Sequence, residues 1–249
     1  MKYLAKSPSS ISKNPSSYCP GCMHSTANKI ISEVLDELGV TGKAIGVLPV
    51  GCAVNSAPYF TMDHIVAAHG RAPAVATGIK RCRPDCVVFT YQGDGDLASI
   101  GMCETIHAAN RGENILVIFI NNSIYGMTGG QMSPTTLVGQ ASTTGGSSRD
   151  PKINGYPIHM CELINQLKAP KYIARFALNS PANIQKAKAG IRHAFEIQMT
   201  RENGYCFIEL LTNCPTNWKC TPVESLEFMK TMTIKEFPLG VLRDCGEEN

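Results

Sequence analysis

A chain of 249 residues with 43% hydrophobic and 17% charged side chains can bury one substantial core and has little reason to be disordered. A net charge of +3 with no long basic block gives no case for nucleic acid, and no apolar run approaches the length that spans a membrane. Eleven cysteines, an odd number, cannot all pair within one chain. The first residues have Ser and Pro where a signal peptide has its apolar core, so the expected compartment is the cytoplasm, and there cysteines point to metal or cluster binding before disulfides.

Residues 1–17 are rich in Ser, Pro and Lys without a period and read as an extended arm, of the kind that lies across a partner or frays. Tyr18-Cys19-Pro20-Gly21-Cys22 follows, where two thiols can face one metal centre. A C-x-x-C alone also suits a redox disulfide or half a zinc site. Ile30, Ile31, Val34, Leu35 and Leu38 recur at helical spacing, predicting a helix from about Ser25 to Leu38 that Gly39 stops. Ala44 to Val50 reads as a short strand running into Gly51-Cys52, and Ala67 to Lys80 as a loop feeding a small-residue helix. Within it His69 offers an imidazole and Gly70 a close backbone approach to a phosphate. Arg71 could join them or pair with a carboxylate at a subunit boundary.

The most informative stretch comes next. Val87 to Tyr91 is an apolar strand that breaks at Gly93-Asp94-Gly95-Asp96; a helical pattern runs from Leu97 to about Arg111, and a second strand, Ile115 to Ile120, stops at Asn121-Asn122. Strand, helix and strand of these lengths make a parallel crossover, so both strand ends open on one side of the sheet, where α/β proteins bind ligands. A carboxylate from Asp94, an amide oxygen from Asn122 and a main-chain carbonyl suit a hard divalent cation that keeps phosphate oxygens in its shell, as Mg²⁺ does. The turn Thr128-Gly129-Gly130-Gln131 could hold the second phosphate with its N–H groups.

Ser133 to Tyr156 is poor in apolar residues and reads as a long loop over the site. A short helix from Ile158 to Leu167, a strand over Tyr172 to Phe176, a helix from Pro181 to about Arg201 and a last strand from Tyr205 to Leu211 complete the pattern. The expected fold class is α/β, a parallel sheet with helices on both faces. The last strand runs into Cys214, so Cys19, Cys22, Cys52 and Cys214 would converge on the edge that carries the loops, a set that fits a [4Fe-4S] cluster. Cys220 rivals Cys214 as fourth ligand; the remaining cysteines read as small hydrophobes or tail residues. The expected division is an arm over 1–17, one binding domain over 18–218 and an extension over 219–249.

Gly93-Asp94-Gly95 followed by Asn121-Asn122 resembles the thiamine-diphosphate fingerprint, and Tyr125 to Gln131 resembles its form in β subunits of the 2-oxoacid:ferredoxin oxidoreductase family. The wording around Pro49 to Cys52, His69 to Val75 and Phe89 to Gln92 is most like the branched-chain (2-oxoisovalerate) members. The resemblance implies a thiamine-diphosphate-binding fold of the diphosphate type, with Mg²⁺ held by Asp94, Asn122 and the Ile124 carbonyl. It also implies that Val50, Gly51, Cys52, Ala53, His69, Gly70, Arg71, Gly93, Gly95, Asp96, Gly126, Met127 and Thr128 surround the coenzyme, Met127 and His69 nearest the reaction. Met23 and Ala53 depart from the family's usual Gly and Ser. The implied activity is decarboxylation of a 2-oxoacid, with electrons leaving singly through the cluster to ferredoxin and the acyl group passing to coenzyme A. The Glu that activates the aminopyrimidine belongs to a different domain, which implies an α subunit carrying it, a small ferredoxin-like subunit and room for a γ subunit. The same chemistry on 2-oxoglutarate, pyruvate or an aryl pyruvate is an alternative, as is a non-catalytic scaffold whose cysteines hold zinc.

Overall fold

In the computed structural model, which describes residues 6–145, 148–200 and 204–245, seven strands form one sheet in the order β2-β1-β3-β4-β6-β5-β7. In chain order these are β1 (Ala44–Leu48), β2 (Asp63–Val66), β3 (Val87–Gly93), β4 (Leu116–Asn121), β5 (Tyr172–Ala177), β6 (Cys206–Leu211) and β7 (Gly240–Asp244). All pairs are parallel except β5 with β7. The helices are α1 (His24–Glu37), α2 (Ala72–Cys82), α3 (Met102–Arg111), α4 (Pro151–Asn154), α5 (Met160–Asn165), α6 (Pro181–Met199), α7 (Pro215–Trp218), α8 (Pro222–Phe228) and α9 (Ile234–Glu236).

The central strands are apolar throughout because both faces are covered. Phe89, Tyr91, Ile118, Ile120, Ile208 and Leu210 pack with α1 and α6 on one face. Val88, Val117, Phe119 and Phe207 pack with α2, α3 and α5 on the other. The chain leaves β1 toward β2 but leaves β3 toward β4, so the order reverses between β1 and β3. Open α/β sheets bind ligands outside the carboxyl ends of the strands at such a reversal. Gly51-Cys52 and Asp94 lie there, and the register of β3 on β4, with Gly93 opposite Ile120, brings Asn122 alongside.

Several details differ from the expectation. β2 went unrecognised because its four residues are exposed and show no alternation, and β7 because it lies in what reads as a tail. The helix expected from Leu97 begins as a π-turn, Asp96–Ile100, and becomes α3 only after Gly101. The junction lies at a close crossing, where a Cβ on Gly101 would collide with the Gly70 carbonyl. The long loop contains one helical turn, α4, capped by the Asp150 carboxylate accepting from the Lys152 N–H. From Lys6 on, the arm lies along its own domain: Ser9 Oγ donates to Asp36, and Ile11 pairs with Phe60. Residues 1–5 of the arm, Gly146 and Ser147 of the loop, Arg201 at the expected helix end and residues 246–249 of the extension lie outside the described residues. Among the described residues no helix is long and apolar enough to cross a membrane.

One polar network runs through the core. Arg175, 1% exposed, donates to Glu209 at 2.7 Å and to Glu162 at 2.6 Å, and Glu209, fully buried, also accepts from Asn121 Nδ2 at 2.7 Å. Removing one partner of a buried pair strands the other charge. Arg175→Met is therefore expected to cost about 3–5 kcal/mol of unfolding free energy, read by chemical denaturation, and the double variant with Glu209→Met to recover most of it. A double variant as unstable as the sum of the two single ones would contradict this.

Candidate functional site

Asp94 is the first residue beyond β3 and is buried. Its Oδ1 accepts from the Gly95 N–H at 2.8 Å, and its Oδ2 from the Ile124 N–H at 2.9 Å, Ser133 Oγ at 2.9 Å and Thr135 Oγ1 at 3.0 Å. All four partners are neutral, so burial still dominates and pushes the carboxyl up to about 6. Asn122 Oδ1 accepts from the same Ile124 N–H at 3.2 Å. The convergence is made by Ser123, whose φ of 59° turns the chain back on itself. Non-glycine residues rarely adopt that conformation, and when they do it is often at functional sites. Its amide donates to Asn121 Oδ1 at 3.1 Å, which holds the turn. The Ile124 carbonyl accepts no hydrogen bond from the described residues.

These groups face a cleft of about 130 Å³, lined by Val50, Gly51, Cys52, Ala53, His69, Gly93, Asp94, Gly95, Asp96, Asn122, Ile124, Gly126, Met127 and Thr128, with His24 and Tyr125 beside them. Most of the residues expected from sequence are thus gathered at one place. Met127, 49% exposed, stands at its mouth. Gly95 has no room for a side chain, since a Cβ would meet the Tyr125 ring at 2.1 Å.

Two expected residues do something other than line the cleft. Gly70 donates its N–H to Asp96 Oδ1 at 2.7 Å, and Arg71 turns to Glu104 on α3, a carboxylate of its own chain and not one at a subunit boundary. Asp96 borders the cleft, but its oxygens are committed: Oδ1 meets His69 Nδ1 at 2.5 Å as well as Gly70, and Oδ2 accepts from Gln92 Nε2 at 2.7 Å. It therefore fixes the His69 ring and leaves the other ring nitrogen to act.

Sequence reading passed over His24, buried against Tyr91 Oη at 2.6 Å and stacked on the Tyr18 ring. Burial holds the His24 imidazole down at about 4, so it is neutral near pH 7. Ser133 and Thr135 were read only as loop. Their signal was present: hydroxyl residues directly after the Gly-rich turn are the donors a buried carboxylate needs.

The thiols of Cys19, Cys22, Cys52 and Cys214 lie close enough to influence one another. Burial, with Cys214, Cys52 and Cys19 nearby, pushes Cys22 up to about 12, and burial with Cys214 and Cys19 pushes Cys52 up to about 11. Cys52 and Cys214 sulfurs lie 3.2 and 3.7 Å from where a Cβ on Gly126 would stand. Cys220 lines a separate hollow with Trp218 and Phe228. Among the described residues no three His, Cys, Asp or Glu side chains close on a single ion.

Comparison with known proteins agrees with this arrangement. The model of the thiamine pyrophosphate enzyme C-terminal TPP-binding domain matches residues 45–210. The ketoisovalerate oxidoreductase subunit VorA of Methanothermobacter thermautotrophicus is 51% identical over 231 residues, which are 93% of this chain and 48% of that protein. This chain therefore spans about half the length of that relative. The 2-oxoglutarate synthase subunit KorB of Methanocaldococcus jannaschii is 34% identical over 243 residues, 94% of this chain and 83% of that one. The structure of 2-oxoglutarate:ferredoxin oxidoreductase from Magnetococcus marinus, with 2-oxoglutarate, coenzyme A and succinyl-CoA bound, superimposes with a TM-score of 0.80 at 25% identity, over 97% of this chain and 85% of that one.

The two shifted groups of the cleft oppose each other with pH. Asp94 titrates near 6 when folded against an ordinary 3.8, so the folded chain holds its proton longer; its contribution is full below about pH 3.8 and lost, by about 3 kcal/mol, as pH rises through 6. His24 titrates near 4 against an ordinary 6.5, so its contribution is full above about pH 6.5 and lost as pH falls through 4. In the wild type the slopes largely cancel. Without divalent cation, the stability of Asp94→Asn relative to wild type is expected to rise between pH 4 and 6.5 in denaturation curves; parallel profiles would contradict the assignment.

Proposed function

This chain belongs to the thiamine-diphosphate-binding, β-type subunit family of the 2-oxoacid:ferredoxin oxidoreductases, and on that premise we propose that it holds thiamine diphosphate through Mg²⁺ and serves the oxidative decarboxylation of a 2-oxoacid to acyl-CoA and CO₂. The observation that carries the reading is the convergence of Asp94 and Asn122 on one backbone N–H at the ends of adjacent strands. The donor set fits the cation. One Asp94 oxygen has a single partner, the Asn122 oxygen another, and the Ile124 carbonyl is open, which supplies hard oxygens with room for phosphate oxygens in the same shell. A carboxylate that burial alone holds near 6 gains most from a cation beside it.

The four thiols fit a polynuclear centre. Cys22, Cys52 and Cys214 are pushed up by burial and by the neighbouring cysteines, Cys19 among them, so a metal centre that takes them as thiolates would release protons on binding. When bound, thiamine diphosphate supplies the carbanion chemistry that frees CO₂ from a 2-oxoacid, and a [4Fe-4S] cluster accepts electrons one at a time.

The chain's own part is orientation and charge. Asp94, Asn122 and Ile124 would fix the diphosphate end through the cation; the phosphate cradle expected at Thr128 to Gln131 is not offered, because the Gly129 and Gly130 N–H groups donate to the Gly126 and Tyr125 carbonyls. His69, its ring fixed by Asp96, lines the cleft and would meet the coenzyme through its other ring nitrogen. Met127 shapes the apolar side of the cleft mouth. The acidic residues lining the cleft among the described residues are Asp94, assigned here to the cation, and Asp96, committed to His69 and Gln92; the Glu that activates the aminopyrimidine is assigned to an α subunit. A ferredoxin-like small subunit and a γ subunit complete the assembly, which passes electrons to ferredoxin in the cytoplasm. Identity of 51% to a ketoisovalerate oxidoreductase subunit, against 34% to a 2-oxoglutarate one, supports a branched-chain 2-oxoacid as substrate. The binding unit is taken as residues 18–218, flanked by the arm and the extension.

The complex purified without oxygen is expected to be brown and to reduce a one-electron acceptor fastest with 2-oxoisovalerate across a panel of 2-oxoacids. Asp94→Ala is expected to keep its circular dichroism and lose at least 100-fold in Mg²⁺-dependent retention of thiamine diphosphate, about 2.7 kcal/mol or more. Undiminished coenzyme content would refute the metal assignment, and a colourless protein with stoichiometric zinc would refute the cluster.

A further inference from the structure

Asn217, half-buried on the single turn α7, touches both halves of the site at once. Its Nδ2 donates to the Gly126 carbonyl at 2.9 Å and to Cys214 Sγ at 3.2 Å, and its main-chain N–H also serves that sulfur. A primary amide nitrogen carries two hydrogens, one for each acceptor. The opposite amide orientation would set oxygen against a carbonyl and a sulfur, so only one fits. The amide oxygen in turn lies 3.2 Å from where a Cβ on Gly130 would stand, which seats the side chain against the Gly-rich turn. Next along, Trp218 Nε1 donates to the Asn122 carbonyl at 3.1 Å. The turn that bears Cys214 is therefore bonded to the main chain of the cleft at Asn122 and at Gly126.

From this juxtaposition of one amide with a thiol and a cleft carbonyl, we propose that Asn217 is a positioning residue that raises the reduction potential of an iron–sulfur centre held through Cys214. The inference rests on the proposed role of Cys214 as a cluster ligand. Reduction adds negative charge that spreads onto the ligating sulfurs, and hydrogen bonds to charged acceptors are stronger than those to neutral ones. Donors aimed at the sulfur therefore stabilise the reduced form more than the oxidised one, which is how hydrogen bonds to sulfur set cluster potentials. Because the same Nδ2 also holds Gly126, it keeps the sulfur and the cleft loop in fixed contact.

The test is a redox titration of the full chain, purified without oxygen and carrying its cluster, followed by EPR of the reduced centre, for wild type, Asn217→Ala and the isosteric Asn217→Asp. Iron content is measured first. At the wild-type midpoint, the reduced-to-oxidised ratio is expected to fall about tenfold in Asn217→Ala, equivalent to 59 mV for one electron, and further in Asn217→Asp, where a carboxylate replaces the donor. Iron content and circular dichroism are expected to stay at wild-type levels. Midpoints unchanged in both variants, or cluster loss in both while wild type stays loaded, would overturn the proposal. A wild type that holds no iron would instead overturn the cluster assignment itself, and is distinguished before any titration begins.

Discussion

The site depends on one buried carboxylate. Asp94 sits where the sheet order reverses, at a depth where a negative charge is costly, and the surrounding chain is arranged to keep it there. Two loops send it neutral donors: the Ser123 turn aims the Ile124 N–H, and the 133–135 segment adds two hydroxyls. These donors orient the carboxylate without cancelling its charge. The remaining imbalance is what the proposed cation would offset.

The neighbouring strand is held with equal care and by different means. Asn121 is braced from behind by Glu209, which the buried Arg175 compensates, so the loop that follows β4 starts from a fixed point. In front, Trp218 and Asn217 clamp the same loop by its carbonyls. The thiols and the cleft are therefore one mechanical unit, joined through α7, and Gly126 leaves no room for a side chain between the cleft and the Cys52 and Cys214 sulfurs. An arrangement in which the two halves share a wall suits electron transfer between the coenzyme and the cluster proposed to occupy them.

Much of this was legible in the sequence, for reasons that can be named. The Gly-Asp-Gly after an apolar run and the Asn-Asn a crossover later show themselves locally, because a parallel crossover forces both onto one edge. The gathering of Cys19, Cys22, Cys52 and Cys214 was readable because each of the later two follows a strand. Arg71 was not decidable from its own position, because His69 lines the cleft whereas the start of α2 turns Arg71 to Glu104. His24, Tyr91, Asn217 and Trp218 were invisible as site residues: their roles arise from pairings between segments 67 and about 95 positions apart. β2 and β7 carry no alternation of their own and are strands only because the sheet offers them an edge.

The most direct measurement is the position of the cation. In a crystal grown with thiamine diphosphate and Mn²⁺, the account expects an anomalous peak bonded to Asp94, the Asn122 oxygen and the Ile124 carbonyl at about 2.1 Å, roughly the Mg²⁺–oxygen distance, with diphosphate oxygens completing the shell. A coenzyme bound in the cleft with the metal elsewhere, or with Asp94 turned away from it, would contradict it.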